Sequence, residues 1–272
     1  MRNHPSIFPH NKIAFACLAT LTLFVLVAVF ADSLAPFDPL KTSTAALQPP
    51  SFAHPFGTDD LGRDVLSGVI HGARTSIGIG FIVAVLSGLV GVTIGLVAGY
   101  AGGWWDDVLM RVTELFLIPP RFFLALVIVA IYGASFTNII IVLSLTFWSA
   151  SARVIRAETL AIKERGFILA AQALGSSSTR ILWREILPNV MPLVITQTVL
   201  RIGHVIFTEA ALEFLGLGDA NRISWGYMLH NGQHFMRDAW WIALFPIAAI
   251  TLLLISINVV GEALNDALNP KL

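Results

Sequence analysis

Six apolar stretches of near-bilayer length alternate along the chain with polar segments of very unequal size. The first, 13–31, is an uncharged run of 19 residues behind Arg2 and Lys12. Signal-peptide cores are usually about 7–15 residues, so this length predicts a retained transmembrane helix, with cleavage near Ala31 or Ala35 as the alternative. The second stretch, 75–105, holds no charge and is long enough to span with a tilt. The third, 112–131, is read as a span although it contains Glu114, Pro119, Pro120 and Arg121. After it, 132-YGASFTN-138 reads as a tight turn. Stretches 139–155, 190–212 and 239–261 complete the set.

Six spans put both termini on one side, and lysine and arginine choose the side. With the N-terminus inside, the cytoplasmic pieces hold Arg2, Lys12, Arg111, Arg153, Arg156, Lys163, Arg165, Arg180, Arg184 and Lys271. The external pieces hold only Lys41, Arg63, Arg74, Arg222 and Arg237. The expected organisation is a cytoplasmic tail 1–12, a first helix 13–32, an external segment 33–74 and a five-helix core 75–263 ending in a tail 264–272. The core carries a cytoplasmic loop 157–187 and an external loop 213–238. The segment 33–74 is proline-rich and runs into 54-HPFGTDDLGRDVLSGVIHGARTS-76, where Thr58 is expected to cap a helix with Asp59 and Asp60 in its first turn.

Composition makes the class firm. Hydrophobic residues are 56% of the chain and charged residues 12%, where a soluble domain has about a quarter charged. The fold class is therefore an all-α polytopic membrane protein of six transmembrane helices, with membrane lipid as its surroundings. The net charge is zero and no basic face argues for nucleic acid. The single cysteine, Cys17, lies in the first apolar run and reads as a small buried hydrophobe.

One polar passage interrupts the apolar pattern, 166-GFILAAQALGSSSTRILWREILPN-189. Residues 166–174 predict a short helix with Gly175 at its C′ position, and Ser176 to Ser178 offer caps for a second helix. In that second helix Ile181, Leu182, Ile186 and Leu187 gather on one face, and Pro188 begins the fifth span. Such a helix–turn–helix fits a groove on another protein, or lies on the lipid surface; the two readings stand level on the residues alone.

Ala170-Ala171, Gly175 and Leu187-Pro188 resemble the "EAA" loop of ABC-importer permeases, with Leu169 where that loop has a glutamate and Glu185 at its isoleucine position. His54-Pro55-Phe56-Gly57-Thr58-Asp59 with Leu61-Gly62-Arg63-Asp64 is similar to the "HPxGTDxxGRD" element of one subfamily. Phe214-Leu215-Gly216-Leu217-Gly218 with Ser224-Trp225-Gly226, and Asp266-Ala267-Leu268-Asn269-Pro270, resemble its later motifs. On these residues the chain is identified as a member of the second-permease-subunit family of dipeptide, oligopeptide and nickel importers. The resemblance implies the type I importer permease fold in the bacterial inner membrane. It implies a second homologous permease subunit, two ATP-binding subunits and an external solute-binding protein as partners. The loop residues Ala170, Ala171, Gly175, Leu187 and Pro188 would couple to the ATPases. Gly57, Thr58, Asp59, Gly62, Arg63, Asp64 and Trp225 would face the external partners. Peptide is the first substrate choice and nickel the alternative. The chain has no G-x-x-x-x-G-K-[ST], so no cofactor is expected in it, and ATP and Mg belong to the partner subunits.

Other residues stand out by chemistry. Arg121 and Arg201 lie inside apolar runs, where an arginine is costly and faces a cavity or a partner. With Glu209 they are the candidates for the translocation pathway; the alternative is pairing with Glu114, Glu209 or Glu213, or snorkelling to the interface. Gly91, Gly95 and Gly99 form a small-residue stripe for close helix contact, either with the partner permease or within this chain. His230 and His234 are weak metal candidates that keep nickel open. Two other classes compete: a secondary transporter, for which Glu114, Glu209 and Glu213 are thin material, and an intramembrane protease using Ser135 and His204, which lacks oxyanion donors.

Overall fold

The computed structural model describes residues 12–268. The tail residues Arg2 and Lys271 and the closing Asn269-Pro270 lie outside the described residues. The described chain is helical apart from its connections, in the order α1 (Lys12–Val29), α2 (Ala31–Leu34), α3 (Val65–Ala101), α4 (Gly103–Leu117), α5 (Arg121–Tyr132), α6 (Phe136–Lys163), α7 (Gly166–Ala173), α8 (Ser178–Arg180), a π-helical stretch (Ile181–Ile186), α9 (Leu187–Phe214), α10 (Trp225–Gly232) and α11 (Trp241–Leu268). Five helical runs are long and apolar enough to cross a membrane, namely α1, α3, α6, Ser178–Phe214 and α11. The pair α4 and α5 makes the sixth when counted as one span bent by 78°.

The second span begins earlier than its apolar pattern does. It starts at Val65, ten residues before the charge-free stretch, and runs for 37 residues, about 55 Å at helical rise. Polar His71 and Arg74 are carried because they find partners on α1 and α2. Arg74 Nε donates to the Ala28 carbonyl at 2.9 Å, Nη2 to that of Val29 at 3.0 Å, and Nη1 to Asp32 Oδ2 at 2.9 Å. A cation thus closes the open carbonyl end of α1. The span also ends sooner, at Ala101. Gly102 and Gly103 both take positive φ (67° and 52°), a conformation glycine adopts without penalty, and Trp104 and Trp105 fall on α4 instead.

The third span is broken where Pro119 and Pro120 withdraw two N–H donors. Asp106 ties its first half to α6, accepting from Arg156 Nε at 2.5 Å and Nη2 at 2.6 Å. Along α3 three apolar clusters follow one another. Val65 and Ala73 pack with Ile206, Trp225, Trp241 and Ile250. Ile79 and Val83 pack with Ala125, Leu143, Val205 and Leu212. Leu96 packs with Ile155, Ile162, Ile168, Ile181 and Ile186.

Helices α3 and α6 pack extensively against each other, and the glycine stripe lies between them. A Cβ on Gly91 would stand 2.6 Å from Ser151 Cβ, one on Gly95 2.6 Å from the Ala152 carbonyl oxygen, and one on Gly99 2.7 Å from Thr159 Cβ. The stripe serves packing within this chain, so of the two readings of Gly91, Gly95 and Gly99 the internal one describes the fold. Between helices in lipid, dispersion contact of this kind replaces the hydrophobic drive that water would supply.

Candidate functional site

The polar passage after α6 folds into an elbow. Helix α7 ends in a Schellman turn: Gly175, at φ 75°, donates its N–H to Gln172 O at 2.9 Å, and Ser176 N–H reaches Ala171 O at 3.1 Å. Ser177 then caps the next helix by accepting from Arg180 N–H. Its hydroxyl is the cap expected among Ser176 to Ser178. The chain does not restart at Pro188, however. The run from Ser178 to Phe214 is one helix, and the π-helical stretch 181–186 widens the backbone just before Leu187-Pro188. The apolar face of this segment turns inward: Ile168, Ile181 and Ile186 are fully buried against Leu96, Ile155 and Ile162. What faces outward is Ala170, Gly175 and Pro188, with Phe167, Leu169, Leu174 (86% exposed) and Trp183, while Ala171 and Leu187 are half-buried. The elbow is therefore anchored by one apolar set and presents a different one.

The 54–64 motif builds a second feature by facing inward. Helix α3 is capped by Asp64, not by Thr58: Asp64 Oδ2 accepts from Ser67 N at 2.8 Å and from Ser67 Oγ at 2.7 Å, and Oδ1 meets His54 Nδ1 at 2.9 Å. Thr58 is held elsewhere, donating to Ala45 O at 2.5 Å and accepting from Gln48 N at 2.9 Å. Asp59 accepts from Leu61 N, Arg63 N and Arg63 Nε, the last at 2.6 Å. Burial works against the Arg63 charge, yet Asp59 and the nearby Tyr227 hold that guanidinium above its ordinary range. Gly57 and Gly62 sit at φ 76° and 70°, against Trp241 and Ser43. Trp225 is fully buried, its Nε1 donating to Val69 O at 2.9 Å. Gly57, Thr58, Asp59, Gly62, Arg63, Asp64 and Trp225 are thus all buried, and their placement as surface contacts is corrected: they knit the segment onto α3, α10 and α11. Each polar group among them needs a specific partner once it leaves water, which is why the motif is so rich in Gly, Asp and Thr. Replacing Asp64 by alanine removes a helix cap and leaves the buried Ser67 hydroxyl short of an acceptor. A loss of about 2–3 kcal/mol is expected, visible as a lower unfolding temperature of the purified protein, with Asp64→Asn milder because its amide oxygen still accepts from Ser67.

The intramembrane charges separate into two groups. Arg201 is 8% exposed and donates from Nη1 to Ala84 O at 3.1 Å and from Nη2 to the Ser151 hydroxyl. Arg121, the first residue of α5, stands 5.6 Å over the Phe147 ring. Both line one cleft with Ser151, Gln197 and His204. Glu209 lies apart from that cleft: it is fully buried and accepts from Ser76 Oγ at 3.2 Å. Glu213 accepts from the Ser224 hydroxyl, which in turn caps α10. Glu114 is 3.7 Å from Arg111. Among the described residues neither Arg121 nor Arg201 has a carboxylate partner, so the alternative of pairing with Glu114, Glu209 or Glu213 does not form. Gln197 and Ser151 were not singled out by sequence, and His204 was weighed only as a protease partner of Ser135. The polar spacing Gln197, Arg201, His204, four and three residues apart in an apolar run, is the signal that finds them.

The histidines do not share a helix face, because α10 ends at Gly232 and His234 falls in a 3₁₀ turn. His230 Nδ1 lies 2.9 Å from the Phe214 carbonyl, and among the described residues no group of three or more metal-binding side chains forms. Ser135 caps α6 through Asn138 N. His204 lines a cleft with Ser151, sixteen residues further along α6 than Ser135 and about 24 Å away at helical rise, which removes the protease reading. Asp219 anchors the loop after α9 to the start of α6. Partial burial pushes its carboxyl up, but the N–H groups of Asn221 and Phe136 hold it below the ordinary range.

Comparison with known proteins agrees with this architecture. Residues 91–272 match the family described as binding-protein-dependent transport system inner membrane component. Residues 6–50 match the N-terminal transmembrane domain of oligopeptide transport permease C. The chain is 39% identical over 264 residues to the dipeptide transport system permease protein DppC of Alkalihalophilus pseudofirmus, covering 96% of this chain and 87% of that one. It is 38% identical to the oligopeptide permease OppC of Bacillus subtilis, covering 97% and 88%. A solved structure of the MetNI methionine ABC transporter in inward-facing conformations superposes with a TM-score of 0.62 at 14% identity, over 74% of this chain and 96% of that one, which supports the fold. With its apolar helices, the protein is a multi-pass component of the bacterial inner membrane, and the secondary-transporter reading falls. The chain belongs to the family of binding-protein-dependent transport system inner membrane components, as a permease subunit of an ABC importer.

Proposed function

We propose that this permease forms half of the translocation pathway for di- or oligopeptides delivered by an external solute-binding protein. A second, homologous permease supplies the other half, and two ATP-binding subunits supply the hydrolysis. The observation that carries the reading is the elbow, with its buried Ile168, Ile181 and Ile186 locked to α3 and α6 and its outward Leu169 and Leu174 free. Closure of the ATPases on nucleotide presses this cytoplasmic elbow, and because it continues without a break into α9 the displacement passes into the membrane. Docking rests on shape and apolar contact, since Leu169 stands where a charge would otherwise serve. On the outer side Phe52 and Leu61 are exposed on the 33–64 segment and offer the surface for external partners. Peptide is supported by the names of the relatives, and nickel is not favoured.

The test is copurification and uptake. The complex is expected to contain two ATPase copies and a second permease. Leu174→Asp, a change at an outward-facing, largely solvated position, is expected to cut ATP-driven peptide uptake at least tenfold and to release the ATPases. A pure complex without ATPase subunits, or undiminished uptake by the Leu174 variant, defeats the reading.

A further inference from the structure

The cleft that holds Arg121 and Arg201 has a volume of about 310 Å³ and no carboxylate in its lining. Arg201 sits 14 residues from the start of α9 and 13 from its end, about 20 Å from either, so the cleft lies at mid-span. Arg121 reaches the same depth because the third span is broken directly before it. A guanidinium carries five N–H donors. Arg201 uses Nη1 and Nη2 on Ala84 O and Ser151, and Arg121 makes no hydrogen bond or ion pair among the described residues. Two cations at mid-membrane, with most of their donors open and every nearby glutamate engaged elsewhere, are costly to hold. A solvated cleft that receives an anion offsets that cost, and guanidinium geometry suits a carboxylate better than a spherical ion.

We infer that Arg121 and Arg201 form an anion subsite on the pathway that receives the C-terminal carboxylate of the passing peptide. This rests on the peptide-importer reading above and adds to it a chemical requirement on the cargo. Arg201 is the fixed member, positioned by Ser151 and the Ala84 carbonyl, and Arg121 is the mobile one, parked over Phe147 until a carboxylate arrives. An aspartate or glutamate side chain of the cargo offers the same chemistry, so the test must tell the two carboxylates apart.

The experiment uses the complete importer in proteoliposomes with its binding protein, at peptide concentrations set from the binding protein's measured affinity for each peptide so that loading is equal. Three probes are compared: a tripeptide free acid, its C-terminal amide, and an amide with a central aspartate. The wild-type complex is expected to import the acid about tenfold faster than the plain amide. Arg121→Gln is expected to reduce that preference to within about twofold by slowing the acid, and Arg121→Lys to keep most of it. The aspartyl amide should behave as the plain amide does; if it moves like the acid, the site takes any cargo carboxylate and the assignment to the C-terminus is wrong. Equal slowing of all probes in Arg121→Gln means a structural residue, and an unchanged preference means no contact; either overturns the subsite. Should the wild-type complex import none of the peptides, the peptide reading falls first and takes the subsite with it. Arg121 is the variant of choice because it makes no internal hydrogen bond, and the unfolding temperature of each variant reports whether the fold survived.

Discussion

Gly95→Leu is expected to leave no folded permease, and Gly95→Ala to lower its unfolding temperature by about 3 °C, while Gly78→Ala raises it by a similar amount. The reason is distance. A Cβ at position 95 would lie 2.6 Å from the Ala152 carbonyl oxygen, 2.8 Å from Ile155 Cβ and 3.0 Å from the Arg156 nitrogen. Two of these are backbone atoms and cannot rotate away, so α3 and α6 must separate. Overpacking of this kind costs about 2 kcal/mol, and its net over the propensity gain, about 1 kcal/mol, sets the shift in temperature. The clash outweighs the roughly 1 kcal/mol that alanine gains over glycine in helix propensity. Gly78 has nothing within 4 Å of the added atom, so it carries the propensity gain without the clash and serves as the control. Thermal aggregation followed by size exclusion in detergent reads all three. Equal stability of the two alanine variants would disprove the close approach. The consequence extends to transport, because Gly91, one turn earlier, faces Ser151, the residue that positions Arg201.

Hydropathy marked out the membrane class and five long apolar helices, with the sixth span a helix pair bent by 78°, because lipid demands long apolar runs. Where polar residues pair inside the molecule, the pattern misled. His71 and Arg74 looked like the end of a soluble segment, yet their partners on α1 and α2 let the helix run through them. Gly102-Gly103 sat within a charge-free run, and nothing in hydropathy marks the break that two positive-φ glycines make. The 54–64 motif was legible as a demand for particular residue types, but not for the direction they face. Surface recognition and a hydrogen-bonded interior both call for Asp, Arg, Gly and Thr, and only tertiary packing distinguishes them. The elbow was legible in its turn chemistry, Gly175 and Ser177, since capping is local. Its π-helical continuation was not, because that widening depends on how Ile181 and Ile186 seat against Leu96 and Ile155.

Trp225 tests the other end of the molecule. Trp225→Ala is expected to destabilise the protein by about 4 kcal/mol and to expose the 213–240 region to limited proteolysis. The ring is fully buried, packs edge-on to Phe24 at 5.8 Å, and bonds to Val69 O. It rests on Gly72, whose added Cβ would fall 2.7 Å from its Cδ1, while Gly226 beside it lies against Ala210. Trp225 and Gly226 thus fasten the start of α10 to α3, α1 and α9 together. Trp225→Phe should cost about 1–2 kcal/mol, from the lost Nε1 bond and the smaller ring. Gly72→Ala should be damaging beside tryptophan and less so beside phenylalanine, which lacks the Nε1 that would stand 3.1 Å from the added Cβ. A double-mutant cycle on the two positions is then expected to show a coupling of about 1 kcal/mol or more, whereas additive effects would mean that the ring does not rest on Gly72. Because Trp225 shares its cluster with Ile206 and Ile250, loosening it also frees the outer ends of α9 and α11. Uptake should therefore fall in Trp225→Ala even in preparations where the elbow still retains its ATPases, separating the outer clamp from the inner coupling.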